Sequence, residues 1–389
     1  MEHLNIAIVG GGLGGLTAAA FLLKSGHRVR VYEQASALRE VGAGISLPPN
    51  AAKLIARLGL GEALRKTANI PHMGRLQNGK TGEMIQITPF GDDLHARYGE
   101  YYYQLHRADL LSLVRSLIDA VDPACIILNH RLESIEQNRD EVRLDFEGGQ
   151  STVADLIVGA DGVRSRMRSL LCGPEDPRFT RFIAWRAIVP LDRLPESFAA
   201  AQSNVWIGPG RNVTYYPIRG KRLLNCVMFA SDSDWTEEGW NLPARIEEIR
   251  AAYTGYHATI QTVIDSIPED SCFQWALYDR DPIADWVAGR VALLGDAAHP
   301  MLPFLGQGAS MAIEDAALLS GALRVAAAPD EALALYQQHR RDRANWVLLE
   351  SRAAGERFVS PTPHAATFGK DGAMRANDLF GHEPPLPPL

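Results

Sequence analysis

The run Gly10-Gly-Gly12-Leu13-Gly-Gly15 constrains the fold of this chain more than any other feature. It follows Asn5-Ile-Ala-Ile-Val9, a short, almost continuously apolar stretch of the kind buried on both faces of a parallel sheet. Residues 13–25 then carry apolar side chains at helical spacing and stop at Gly26, and Arg28-Val-Arg-Val-Tyr32 reads as a second strand closed by Glu33. The spacing predicts a βαβ unit in which each glycine has its own reason. Gly10 permits the tight turn, Gly12 lets the backbone approach a pyrophosphate, and Gly15 lets the helix pack on the sheet. Leu13 opens the helix, whose N-terminal N–H groups attract phosphates, and Glu33 is placed to accept hydrogen bonds from adenosine ribose hydroxyls. The unit by itself leaves FAD and NAD open.

Helical periodicity recurs at 50–58 and 107–121, and residues 152–159 and 290–295 read as further buried strands. From 179 to 229 the texture changes to runs rich in Val, Ile, Tyr and Trp, broken by Pro-Gly at 209–210 and Arg-Gly-Lys at 219–221. This predicts a second sheet in a different domain, paired with residues 74–103. One long helix is expected from 307 to about 326 and another up to about 357.

At 389 residues the chain suits two packed domains, and 46% hydrophobic with 22% charged residues is the balance of a soluble globular protein. Lys and Arg total 39 against 46 Asp and Glu, for a formal charge of -7, and no basic run offers a track for nucleic acid. Cys125, Cys172, Cys226 and Cys272 stand far apart, with no CxxC pair and no His-rich neighbour. Neither a metal site nor a disulfide framework is expected, and free thiols in a reducing cytoplasm are. The N-terminus enters a strand without the features of a signal peptide, and no apolar run approaches the ~20 residues of a membrane span. A soluble, cytoplasmic protein with no membrane partner is the expectation.

Two later motifs narrow the reading. Asp155-Leu-Ile-Val-Gly-Ala-Asp161-Gly162-Val-Arg164-Ser165 and Leu293-Leu-Gly295-Asp296-Ala-Ala-His299-Pro300 are each a strand ending in a glycine and an acid. Either alone marks only a strand-to-loop transition. In this order behind the glycine run, the three resemble the single-component FAD-dependent aromatic hydroxylases, which include para-hydroxybenzoate, salicylate, 3-hydroxybenzoate and 6-hydroxynicotinate monooxygenases. The resemblance spans Ile6 to about Arg357 and implies an α/β fold in which a Rossmann-like FAD-binding domain is interleaved with a mixed β-sheet substrate domain and followed by C-terminal helices. The expected boundaries are 1–73, 104–175 and 273–360 for the FAD-binding domain, 74–103 and 176–272 for the substrate domain, and 361–389 for a tail.

The resemblance further implies that Asp296 accepts a hydrogen bond from a ribityl hydroxyl and that Arg107, in His106-Arg107-Ala-Asp-Leu110, steadies FAD from a helix start. Asp161 matches a motif serving both FAD and the pyridine nucleotide, and Arg39 with the Gly42-Ala-Gly44-Ile45 loop matches a flavin-contacting segment. In Pro303-Phe-Leu-Gly306-Gln307-Gly308, glycines open a long helix and aim backbone N–H groups and the positive dipole end outward, as an anion requires. In the resembled family that end faces the flavin pyrimidine, where it would stabilise the charge of reduced flavin.

Only one complete dinucleotide fingerprint is present, so NADH or NADPH has no Rossmann domain of its own and visits transiently. In the resembled enzymes the nicotinamide reduces the flavin, O2 adds at its C4a position, and the hydroperoxyflavin hydroxylates a nucleophilic ring carbon. The expected partners are therefore O2 and a small electron-rich aromatic or N-heteroaromatic acid, with the enzyme a monomer or homodimer. In Asn212-Val-Thr-Tyr215-Tyr216-Pro217 strand alternation sends the two tyrosines to opposite faces, so only one can meet the ring. The resemblance favours Tyr215, with Tyr216 next. The 6-hydroxynicotinate subgroup carries histidines where this chain has Leu47 and Arg211, so that substrate does not carry over. Arg211 instead offers a two-pronged match to a carboxylate, with Arg186 second. His299 is assigned to the cofactor loop. The fold also leaves open an epoxidase, a decarboxylating hydroxylase or a urate-type oxidase. From other classes come an NAD-dependent dehydrogenase, which would not need Asp161 and Asp296, and a flavin redox sensor without turnover, which would not need the glycine-rich helix start.

Overall fold

Asn5–Val9, Leu13–Lys24 and Arg28–Tyr32 form strand, helix and strand in the computed structural model, which describes residues 3–38, 44–200, 202–231, 242–359 and 377–385. Gly10 has φ +108°, and a Cβ there would lie 2.3 Å from the Ala160 carbonyl oxygen; one on Gly15 would lie 2.0 Å from that of Gly10. Both glycines are therefore fixed by close backbone approach. The strands order as Val287–Ala288, Val291–Leu293, Leu156–Gly159, Asn5–Val9, Arg28–Tyr32, Ile126–Ile127, parallel except for the first. Parallel strands end at one edge, so the loops at Gly10, Asp161 and Asp296 leave the sheet side by side.

Residues 152–159 do not form one strand. Ser151–Ala154 belongs to an antiparallel sheet with Leu132–Gln137 and Val142–Phe146, and only Leu156–Gly159 enters the parallel sheet. The break falls at Asp155, whose carboxylate accepts from the Asn5 backbone N–H at 2.7 Å. The helix expected at 50–58 is Pro49–Ile55 followed by a wide turn around Gly59 at φ +91°.

The second sheet has eight strands, ordered Leu242–Pro243, Cys272–Asp279, Arg178–Pro190, Leu223–Ala230, Arg211–Ile218, Gln202–Gly208, Met73–Asn78, Met84–Pro89. The early segment does join it, Met73–Asn78 lying parallel to Gln202–Gly208. Two details differ from expectation: residues 273–279 lie in this sheet, and Tyr103–His106 pairs with Gly44–Leu47 instead. One face is covered by helices Ile246–Ala252 and Ala258–Asp265, with Ile249, Tyr253 and Ile260 packed among Trp185, Val213 and Cys226. The other face carries Ala184, Phe229 and Trp275 and meets Leu302 and Phe304 of the loop before helix Gly308–Val325. That helix is buried on nearly every side, crossed by Pro329–Phe358. The four cysteines are free thiols, and among the described residues no helix is long and apolar enough to cross a membrane.

Candidate active site

A cleft of about 640 Å³ opens at the parallel sheet edge, lined by Gly10, Gly12, Glu33, Asp161 and Arg164 among others. A Cβ on Gly12 would meet nothing within 4 Å, so its missing side chain answers no protein neighbour and leaves the cleft floor bare. Leu13 is the first helical residue, with its side chain buried beneath. The Glu33 carboxylate accepts from Gly11 N–H at 2.7 Å and Ala35 N–H at 2.8 Å, which fixes it at the rim with acceptor capacity to spare. Asp161 caps the helix Arg166–Cys172, accepting from the Ser165 hydroxyl and from Met167 N–H at 3.0 Å. Arg39, Gly42 and Ala43 lie outside the described residues.

Further along the edge, Asp296 sits in the short turn Gly295–Ala297 and projects into open space although protein surrounds it. Burial pushes its carboxyl above the usual range, against the opposing pull of His299 and Arg107. Arg107 opens the helix Arg107–Val121 and is close enough to Asp296 for its charge to be felt there. Gly306 takes the left-handed conformation, φ +63°, and turns the chain into the helix opened by Gly308, where a Cβ would lie 3.9 Å from Asp296 Oδ1. Beside this helix start Asn50 Oδ1, Gln307 Nε2 and Ser310 Oγ are buried with no protein partner. Such orphans, next to a dipole end, are what a polar ring system would satisfy.

The large sheet separates the candidate residues by face. Tyr215 lies on the helix-covered face, 5.5 Å from the Phe198 ring and beside Trp206, its phenol pushed up to about 12 by burial. Tyr216 points the other way, among Ser46, Tyr102 and Arg186. Arg211 shares Tyr215's parity and donates to the carbonyls of Gly210, Ala252 and Ser231, so it is not placed to hold a carboxylate in the site. Arg186 shares Tyr216's face through the register Arg186↔Val227 and Asn225↔Tyr216. Its guanidinium lies 4.6 Å over Trp275, and both line a cavity of about 130 Å³ together with Asp296 and Leu302. Arg186, the second candidate, thus lies on the Tyr216 face and Arg211 on the opposite one. The signal was in the strand: one face offers Asn212, Thr214 and Tyr216, the other Val213, Tyr215 and Pro217.

Residues 3–351 match the family model described as FAD binding domain. The chain is 39% identical over 367 residues to a 3-amino-4-hydroxybenzoate 2-monooxygenase of Streptomyces platensis, covering 93% of this chain and 91% of that one. It is 37% identical to a 6-hydroxynicotinate 3-monooxygenase of Bordetella bronchiseptica, covering 88% and 89%. The chain belongs to the FAD-binding family of aromatic monooxygenases. Among solved structures it is similar to Klebsiella pneumoniae HpxO complexed with FAD and uric acid, with a TM-score of 0.83, 26% identity and coverage of 96% and 91%. For this FAD-binding monooxygenase the bare Gly12 floor, the Gly308 helix start and the buried orphans beside it fit the cofactor.

Sequence reasoning missed what holds the monooxygenase's cofactor loop. Asp315 accepts from Gly295 N–H at 2.9 Å, His299 Nε2 at 2.6 Å and Arg340 Nε at 2.7 Å, while Glu314 accepts from Arg340, Arg343 and Asn50. Arg168 Nη1 donates to Ala298 O at 2.9 Å and so ties the second motif to the third. His299 is wholly buried in this network, in keeping with a loop-holding role. Glu314 and Asp315 in an otherwise apolar helix were the visible signal; their partners lie too far along the chain to be paired by spacing.

Proposed function

We propose that this monooxygenase hydroxylates a small, electron-rich aromatic or N-heteroaromatic acid, with NADH or NADPH as reductant and O2 as oxygen source. The observation that carries the reading is the placement of Tyr216 and Arg186 on the one sheet face that meets the cofactor loop. Bound FAD supplies the electron transfer and oxygen activation. Gly10, Gly12, Leu13 and Glu33 hold its adenosine and pyrophosphate; Arg107, Asp161, Asp296, Gly306 and Gly308 hold the remainder.

Burial, with Tyr102 adding to it, holds the Tyr216 phenol well above its ordinary pKa, so it stays protonated at neutral pH. It therefore acts as a donor, not as the base. Its hydrogen bond to a ring oxygen stabilises the deprotonated, electron-rich form of the substrate. Arg186, held flat on Trp275, grips the carboxylate. The substrates named for the two relatives, 3-amino-4-hydroxybenzoate and 6-hydroxynicotinate, each offer both groups. Residues 273–279 go with the substrate domain.

The test is a screen of hydroxybenzoates, aminohydroxybenzoates and hydroxypyridine carboxylates against the yellow holoenzyme, following NAD(P)H oxidation and product mass. At least one ring acid should stimulate oxidation and emerge heavier by one oxygen. Stimulation by none, or only with unaltered ring acid recovered, would falsify the reading.

A further inference from the structure

Residues 377–385 lie in the segment whose sequence shows least pattern, yet they are fastened to the body at several points. Tyr98 Oη and Asn377 Oδ1 are 2.8 Å apart, and Arg343 donates to the carbonyls of Asp378 at 2.9 Å and Leu379 at 3.2 Å. Leu379 is buried between Met311 and Val347, and Lys53 Nζ meets Glu383 at 2.7 Å. Between these anchors the Phe380 ring stands edge-on to Tyr98 and to Tyr102, centroids 5.9 Å apart in each case. Tyr102 also packs against Phe90 at 4.9 Å. Tyr102 and Tyr216 both neighbour the Ser46 hydroxyl, which is placed to hydrogen-bond either phenol.

We propose that Phe380 is a specificity-determining positioning residue, which backs Tyr102 and so fixes the outer wall of the ring site beside Ser46 and Tyr216. The inference rests on the reading of the Tyr216 face as the substrate side. Tyr102 precedes the strand Tyr103–His106 and packs against two aromatic rings, Phe90 and Phe380. Removal of Phe380 leaves one of them, and the lost edge-to-face pair loosens the packing that holds the half-buried Tyr102 ring in place. Tyr102 then moves outward, the wall recedes, and water gains a path to the hydroxyls that should meet the substrate alone. Leu379, Arg343 and Glu383 keep the segment docked in such a variant.

The experiment compares Phe380→Ala and Phe380→Leu with wild-type holoenzyme on the aromatic acid that wild type hydroxylates. In Phe380→Ala the KM should rise roughly five- to tenfold with kcat little changed, and a larger share of NAD(P)H should end as peroxide. FAD content should be that of wild type, and Phe380→Leu, which keeps apolar bulk, should recover most of the coupling. Unchanged KM and coupling in Phe380→Ala would overturn the inference. So would equal loss of FAD from both variants, the mark of a purely structural strap. A wild type that hydroxylates no ring acid is instead the failure of the functional reading, and shows itself before any variant is made.

Discussion

Tyr215 and Tyr216 are neighbours in the chain but belong to different environments, because successive strand residues point to opposite faces of a sheet. Tyr216→Phe should slow hydroxylation roughly 10- to 100-fold, the loss of one charge-assisted hydrogen bond of ~1.5–3 kcal/mol, without changing FAD content. Tyr215→Phe should leave the rate within about threefold, since the Tyr215 hydroxyl sits beside Trp206 behind the sheet. Rates measured side by side decide it, and the reverse ranking would return the role to Tyr215. The two arginines divide in the same way. Arg186→Gln should raise KM for a carboxylated ring by roughly 10- to 100-fold, while Arg211→Ala should lower thermal stability through the carbonyls it leaves unpaired and spare KM. Alternation was legible in the sequence; its phase was not. Polar Asn212, Thr214 and Tyr216 mark the site face only once Ile249 and Tyr253 are known to cover the other.

At the scale of elements, the helix Gly308–Val325 presents its N-terminus to Asp296 and its two buried acids to Arg340 and Arg343. Burial alone would raise both carboxyls, but the guanidiniums, with His299 beside Asp315, override it and hold Glu314 and Asp315 at about 2. Folded values below the ordinary 4.5 and 3.8 mean that the unfolded chain takes up protons first. The stability these acids contribute is therefore complete above about pH 4.5 and lost as pH falls towards about 2. Melting temperature and FAD retention should decline together across that window, and a flat profile would remove the network from the account. Arg340→Met, which takes a shared guanidinium from two buried carboxylates and leaves Arg343 and His299 as their charge partners, should cost ~3–5 kcal/mol of stability and release FAD, read by thermal melting and by filtrate absorbance. The glycine-rich start of this helix was readable from Gly306 and Gly308. The ion cluster was not, because Arg340 comes from the following helix and meets Asp315 only through packing.

The whole molecule brings the large sheet up against the loops at the edge of the parallel sheet. The three strand-to-loop motifs were legible because parallel strands must end at a common edge, whatever separates them in the chain. The fit of the Gly44–Leu47 strand pair against the large sheet was not, since it depends on single contacts such as Asn225 Oδ1 accepting from Gly44 N–H at 2.7 Å. A Cβ on Gly44 would lie 2.4 Å from Asn225 Cγ, so Gly44→Ala should push the strand Gly44–Leu47 away from the large sheet. FAD retention and turnover should fall together, and an unaltered holoenzyme would show that this contact does not set the fit. The C-terminal segment escaped notice for the same reason, its sequence being without period and its place set by Leu379 and Phe380 docking on distant partners. On the proposed function, one atom of O2 reaches an aromatic ring bound where the large sheet meets these loops. Turnover of the stimulating ring acid under oxygen-18 gas tests it most directly: the product should carry a single oxygen-18 atom, with close to one product per NAD(P)H oxidised, whereas unlabelled product, or reductant recovered wholly as labelled peroxide, would contradict it.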